Sequence, residues 1–141
     1  MAASSTGVTV STTRDVTACG PTVALGGAVS AVSSFVALTD SFPSSTGKQV
    51  TVSFTTATSL ASGQSVTITL PAGYISGTIG AVGTGFATTT SGTAPQYIVA
   101  TTTSIHAGSY ALTLTGATIG GPMAASATGV TVTTTSDLGA T

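Results

Sequence analysis

Gln49-Val-Thr-Val-Ser-Phe-Thr55 alternates apolar and hydroxyl-bearing side chains at every step. A period of two sends successive side chains to opposite faces of an extended strand, so Val50, Val52 and Phe54 share one face and Thr51, Ser53 and Thr55 the other. The alternation returns in Ser65-Val-Thr-Ile-Thr-Leu70, Ser109-Tyr-Ala-Leu-Thr-Leu-Thr115, Gly7-Val-Thr-Val-Ser-Thr-Thr13 and Gly129-Val-Thr-Val-Thr-Thr-Thr135. Weaker strands are expected over 28–38, long and bulged, and over 96–103, with a short one over 74–79. Gly- and Pro-containing breaks separate these runs, among them Gly26-Gly27, Pro71-Ala-Gly73, Gly92 to Pro95 and Gly120-Gly121-Pro122. No stretch combines a 3.6-residue apolar period with caps, so almost no helix is expected. The reading is all-β: an immunoglobulin-like β-sandwich of about seven to eight strands. A closed barrel or a solenoid fits less well, because no shorter repeat runs through the interior. The expected core is Val50, Val52, Phe54, Val66, Ile68, Leu70, Ile98, Tyr110, Leu112 and Leu114, with Phe35 and Phe86 filling in.

The composition narrows the partners. Charged residues make up 4% of the 141, for a formal net charge of −1, and Ser plus Thr about a third. The ionic side chains are Arg14, Lys48, Asp15, Asp40, Asp137 and His106; Glu, Asn and Trp do not occur. Nucleic acid is excluded as a partner, since phosphate binding needs clustered Lys and Arg. Mean hydropathy is +0.56, yet the apolar residues are spread by alternation. No window reaches the ~18 consecutive apolar residues of a membrane-spanning helix. Abundant Val, Ile and Thr argue against disorder. Residues 1–5 lack the basic and apolar regions of a signal peptide. That says little about a precursor, because Met123 stands at the place matching Met1.

The end of the chain repeats its beginning. Residues 1–15 align without a gap on 123–137, identical at about twelve of fifteen positions and offset by about 122 residues, a domain-sized period. The simplest reading is one unit of a tandem array plus one strand of a neighbouring unit. It divides the chain into a leading strand, 1–15, donated to the preceding unit; a sandwich unit, 16–137; and the start of the next linker, 138–141. Sheet edges are usually protected by charge, and this chain has little to spare, so edge pairing between copies looks used rather than avoided. In strand addition, alternate side chains fill pockets and set register, which suits Val8 and Val10 or Val130 and Val132. Two other accounts stay open: units strung as beads, and ordinary first and last strands of one sandwich. If donation holds, the first copy is the one that leaves, with Arg14-Asp15 and the Gly20-Pro21 break serving as a hinge.

The phrases Gly63-Gln-Ser-Val-Thr-Ile-Thr-Leu-Pro71 and Ala127-Thr-Gly-Val-Thr-Val132 resemble repeat domains of large extracellular and cell-surface proteins of unicellular algae. The chain also looks like extracellular filament subunits joined by donated strands. The resemblance is one of texture and implies an extracellular structural role, with the chain as its own partner.

Catalytic chemistry is poorly supplied, and no enzyme activity, cofactor or metal is expected. There is no Glu for paired-carboxylate hydrolysis, and a Cys19–His106 dyad would lack an orienting third group. One His and one Cys do not make a metal site. Lys48 lacks the Asn partner and Glu catalyst of an isopeptide crosslink. Asp15 and Asp137 are expected to cap turns at repeat junctions by accepting backbone N–H bonds, with a calcium-bridged linker as the sharper alternative. Cys19 reads as a buried thiol or an interchain disulfide. The hydroxyls are the richest resource: Thr88, Thr89, Thr90, Thr101, Thr102, Thr103, Thr133, Thr134, Thr135 and Ser44-Ser45 would accept O-linked glycans in a secreted protein. The plain alternative is that these Thr line solvent faces of strands. A carbohydrate- or ice-binding adhesin module built on Thr-x-Thr strands is the competing function.

Overall fold

The computed structural model describes residues 4–10, 18–22, 27–36, 42–122 and 129–139, with the backbone alone for 4–10, 18–22 and 138. The strands are β1 Ser4–Val10, β2 Ala18–Thr22, β3 Gly27–Ala28, β4 Ser30–Phe35, β5 Lys48–Thr56, β6 Ser65–Thr69, β7 Ile75–Ser76, β8 Gly80–Val82, β9 Gln96–Ala100, β10 Gly108–Ile119, β11 Thr131–Thr134 and β12 Asp137–Leu138. No helix occurs among the described residues, so none there could cross a membrane. One sheet is ordered β4-β5-β10-β7, with β8 also on β10, and the other β11-β6-β9. β12 pairs in parallel with β3, and β1 with β2 forms a separate antiparallel ribbon.

The alternation seen at Gln49–Thr55 governs burial. Along β5 every second residue from Val50 to Thr56 is buried, and β6 repeats the pattern at Val66 and Ile68. Val50, Val52, Phe54, Leu112 and Leu114 of the first sheet share one core with Val66, Ile68, Tyr97, Val99 and Val132 of the second. Each such side chain contributes about 1.5–3 kcal/mol of apolar burial, which is what holds two weakly charged sheets together. Phe54, Phe86 and Tyr110 cluster at one end, with ring centroids 5.8–6.5 Å apart.

Two core expectations are corrected. In β9, Tyr97 and Val99 turn inward and Ile98 outward. Directly opposed residues of antiparallel strands share a face, and Tyr97 and Val99 oppose Ile68 and Val66, whereas Ile98 opposes Thr67. Phe35, at the end of edge strand β4, is 66% exposed. The expected bulge over 28–38 is present as a register shift between Ser30 and Ser33.

Both flanks of the sandwich are stitched. On one, Val29 is buried where the chain passes from β3, paired with β12, to β4, paired with β5. On the other, residues 85–91 bridge the sheets. Thr88 C=O accepts from Ala81 N–H of β8, while Ser91 and Ile98 exchange two hydrogen bonds and Ala87 N–H donates to Ala100 C=O. The outer edges of β8 and β9 are thereby closed.

Candidate assembly strand and its slot

β11 carries the second copy of the duplicated sequence, and it is part of the sandwich. It lies antiparallel to β6, with Thr131 opposite Thr69, Val132 opposite Ile68, Thr133 opposite Thr67 and Thr134 opposite Val66. Val132 is fully buried and Val130 packs on the core half-exposed. Thr135 N–H donates to Ser65 C=O at 3.1 Å. The odd-numbered residues therefore bond to β6, and the even-numbered residues turn their backbone groups to the outer edge.

Beyond Thr135 the chain reverses. Thr134 Oγ1 accepts the N–H groups of Ser136 and Asp137, at 3.1 and 2.8 Å. That bend brings Asp137, 5% exposed, against the end of β5, where its Oδ2 accepts the N–H groups of Ala57 and Thr58 at 3.1 and 3.2 Å. The expectation that Asp137 accepts backbone N–H bonds is met, but across the fold rather than within its own turn. Oδ1 has no hydrogen-bond partner in the structure and faces Gly27, where a Cβ would lie 2.8 Å from it and would also collide with Ala57 Cβ. Gly27, Ala57 and Thr58 complete this cradle, and nothing in their sequence announces it.

The first copy lies elsewhere. Val8, Thr9 and Val10 of β1 are opposed by Gly20, Cys19 and Ala18 of β2, and neither strand shares a ladder with the sandwich sheets. Gly20 and Pro21 are thus part of a strand, not the hinge expected from their types. The side chains of Val8, Val10 and Cys19, and all of Arg14, Asp15 and Asp40, lie outside the described residues.

The hydroxyl candidates separate by exposure. Thr88, Thr89, Thr102, Thr103, Thr133 and Thr135 are exposed, and Thr134 is half-buried in the bend. Ser44 is exposed and Ser45 half-buried. Thr90 is half-buried and donates to Ile79 C=O at 2.7 Å. Thr101 departs from its expected place on a solvent face. It is buried, and its Oγ1 lies 2.6 Å from Ala61 C=O and 3.0 Å from Gln64 C=O, so it presents no free acceptor. His106 is exposed, with its C=O accepting from Tyr110 Oη at 2.7 Å. Lys48 begins β5 and Asp137 docks beyond its other end; nine residues at ~3.3 Å set them ~30 Å apart, which rules out a bond between them. No cluster of three or more His, Cys, Asp or Glu occurs among the described residues. Burial raises the Tyr97 phenol above its usual pKa, with Oη 3.4 Å from Ile75 C=O.

The chain matches no protein-family model, no curated protein and no solved structure.

Proposed function

We propose that this chain is a structural unit of an extracellular filament or cell-surface fibre. In this reading it is an immunoglobulin-like sandwich whose units join head to tail by sharing a terminal strand. The observation that carries it is the unequal pairing of two near-identical sequences: 131–134 completes the sandwich beside β6, while 4–10 pairs with 18–22 in a ribbon that shares no ladder with the sandwich sheets. Head-to-tail contacts of this kind are heterologous and give open fibres when the rotation does not close. O-linked glycans on the exposed Thr residues would supply the solubility that so few charges cannot. Cys19 is the candidate for a covalent link between chains. Electron microscopy of protein from its native source tests the reading: fibres are expected, and isolated monomers at high concentration would count against it.

A second reading, an ice- or carbohydrate-binding adhesin module, draws on one observation. Thr131 and Thr133 stand in register with Thr69 and Thr67 on the outer face. The array is two strands wide and stops at Gln96 and Ile98 of β9. Measurable thermal hysteresis or a positive glycan array would favour it over the filament.

A further inference from the structure

We propose that the outward face of the first sheet is a contact surface for a second copy of this chain, with Phe35 of each copy entering the depression beside Ala111 of the other. The inference goes beyond the filament reading and does not rest on it.

The sheet register gathers exposed apolar side chains on this face. Phe35 opposes Thr51, Thr51 opposes Thr113 and Thr113 opposes Val82, so these four form one row across β4, β5, β10 and β8. The ends of the row, Phe35 and Val82, are 66% and 59% exposed, and they are two of the three exposed large apolar side chains among the described residues. No charged residue stands in this row or in the next one, Ser33, Ser53 and Ala111.

The hydroxyls between the ends are already engaged with one another. Thr51 Oγ1 lies 3.0 Å from Thr113 Oγ1, and Thr55 Oγ1 lies 2.8 Å from Ser109 Oγ. Paired hydroxyls lose less on leaving water than unpaired ones, so a dry, uncharged partner can cover them. A sugar would compete for the same groups.

Beside Phe35 the face sinks. Ser53, Thr55, Ser109 and Ala111 line a shallow depression of about 420 Å3, with Ala31 as its wall at the bulge of β4. Ala31 stands in the left-handed region at φ 50°, which is uncommon for a residue with a Cβ, and its methyl group leaves the depression open. Knob and depression lie on the same face, so a two-fold axis in the plane of the contact exchanges them. Both insertions are then made at once, in an isologous pair. The face measures about 19 Å across four strands and about 23 Å along seven residues, less than the ~800 Å2 per partner of a standard interface, so the pair is weak and reversible.

Sedimentation velocity on the full chain under reducing conditions tests this, with Val8→Asp and Val10→Asp throughout to keep head-to-tail joining out of the measurement. The parent should pass reversibly from monomer to dimer as its concentration rises. Phe35 and Ala111 are both exposed. Phe35→Asp and Ala111→Lys should therefore keep the thermal midpoint, and each should weaken the dimer at least tenfold. An equimolar mixture of the two variants should associate again: one Phe35 insertion is kept, and at the other the introduced carboxylate meets the introduced amine. A parent that stays monomeric at every concentration overturns the proposal, including one that instead binds neutral glycans through Phe35. So do single variants that dimerise like the parent, a mixture that does not recover, or a Phe35→Asp chain whose thermal midpoint falls because its own residues cover the face. Fibres from the native source without this dimer would remove only the contact proposed here. The dimer without fibres would remove only the filament reading.

Discussion

Asp137 Oδ2 accepts the Ala57 backbone N–H at 3.1 Å, tying β12 to the end of β5 across eighty residues of sequence. With the Thr58 N–H as a second donor, the carboxylate satisfies two backbone groups at the end of a core strand. Asp137→Ala removes both acceptor bonds and is expected to cost about 2–3 kcal/mol, read by urea denaturation. Asp137→Asn keeps a carbonyl acceptor and should lose less than the alanine variant. Equal losses for the two would mean the acceptor oxygen is not what matters.

The same cradle explains why position 27 is glycine. A methyl group there meets Ala57 Cβ and the Asp137 carboxylate together. Gly27→Ala should destabilise by about 1–3 kcal/mol through overpacking. Ala57→Gly, made in the Gly27→Ala background, should recover a measurable part by removing one of the colliding atoms. Strict additivity of the two changes in denaturation would argue that the collision is relieved by backbone movement instead.

The sandwich was legible in the sequence wherever alternation was unbroken. At β5, β6 and β10 a hydroxyl stands at nearly every second position, and the inward face follows. Gln96-Tyr-Ile-Val-Ala100 holds three consecutive apolar residues, so its phase comes from pairing with β6 and not from its own pattern. Phe35 is a second case: it stands opposite Thr51 on the outward face of the first sheet, while Val32 and Val36 turn to the core, so pairing with β5 and not apolar character sets its exposure. The cradle was hidden because it depends on one long-range approach. Asp137 is visible as a rare charge, but Ala57, Thr58 and Gly27 look like any others in a chain of this composition. Pro21 misled because it marks a break more often than a strand; in β2 it lies where the register with β1 shifts between Ser4 and Val8, and an edge strand or a bulge tolerates it.

Tyr97 gives a pH dependence. Burial raises its phenol pKa, so the folded state disfavours the phenolate. A raised folded pKa means the stabilisation is complete below the unfolded value of about 10 and is lost as pH climbs from there through the folded value. Urea midpoints should therefore be unaffected by this group near neutrality and fall above about pH 10. Tyr97→Phe removes the titration and should flatten that fall. An unchanged alkaline slope in the phenylalanine variant would exclude Tyr97 as its source.

Thr101-Thr-Thr103 offers a comparison within three residues. Thr102 and Thr103 are exposed, whereas Thr101 is 3% exposed and its hydroxyl is committed to the Ala61 and Gln64 carbonyls. Site-resolved mass spectrometry of protein from its native source should find glycans on exposed threonines such as Thr102, Thr103 or Thr133, and none on Thr101. Thr101→Val should cost about 1–2 kcal/mol through the lost hydrogen bond. Occupancy at Thr101 matching its neighbours would indicate modification before folding.

The two copies of the Val-Thr-Val sequence should respond to the same mutation in opposite ways. Val132 is fully buried opposite Ile68, so Val132→Asp forces a carboxylate into the core. The cost, several kcal/mol, is comparable to the whole stability of a small domain, and loss of the cooperative unfolding transition is expected. β1 shares no ladder with the sandwich sheets. Val8→Asp with Val10→Asp should therefore leave the thermal midpoint of the sandwich within about 2 °C, a shift below 1 kcal/mol for a domain of this size. If β1 serves another copy, this double variant should nonetheless fail to assemble, as read by sedimentation and electron microscopy. A large fall in its thermal midpoint would place β1 in the fold of its own chain. Normal assembly would show that the first copy is not the joining strand.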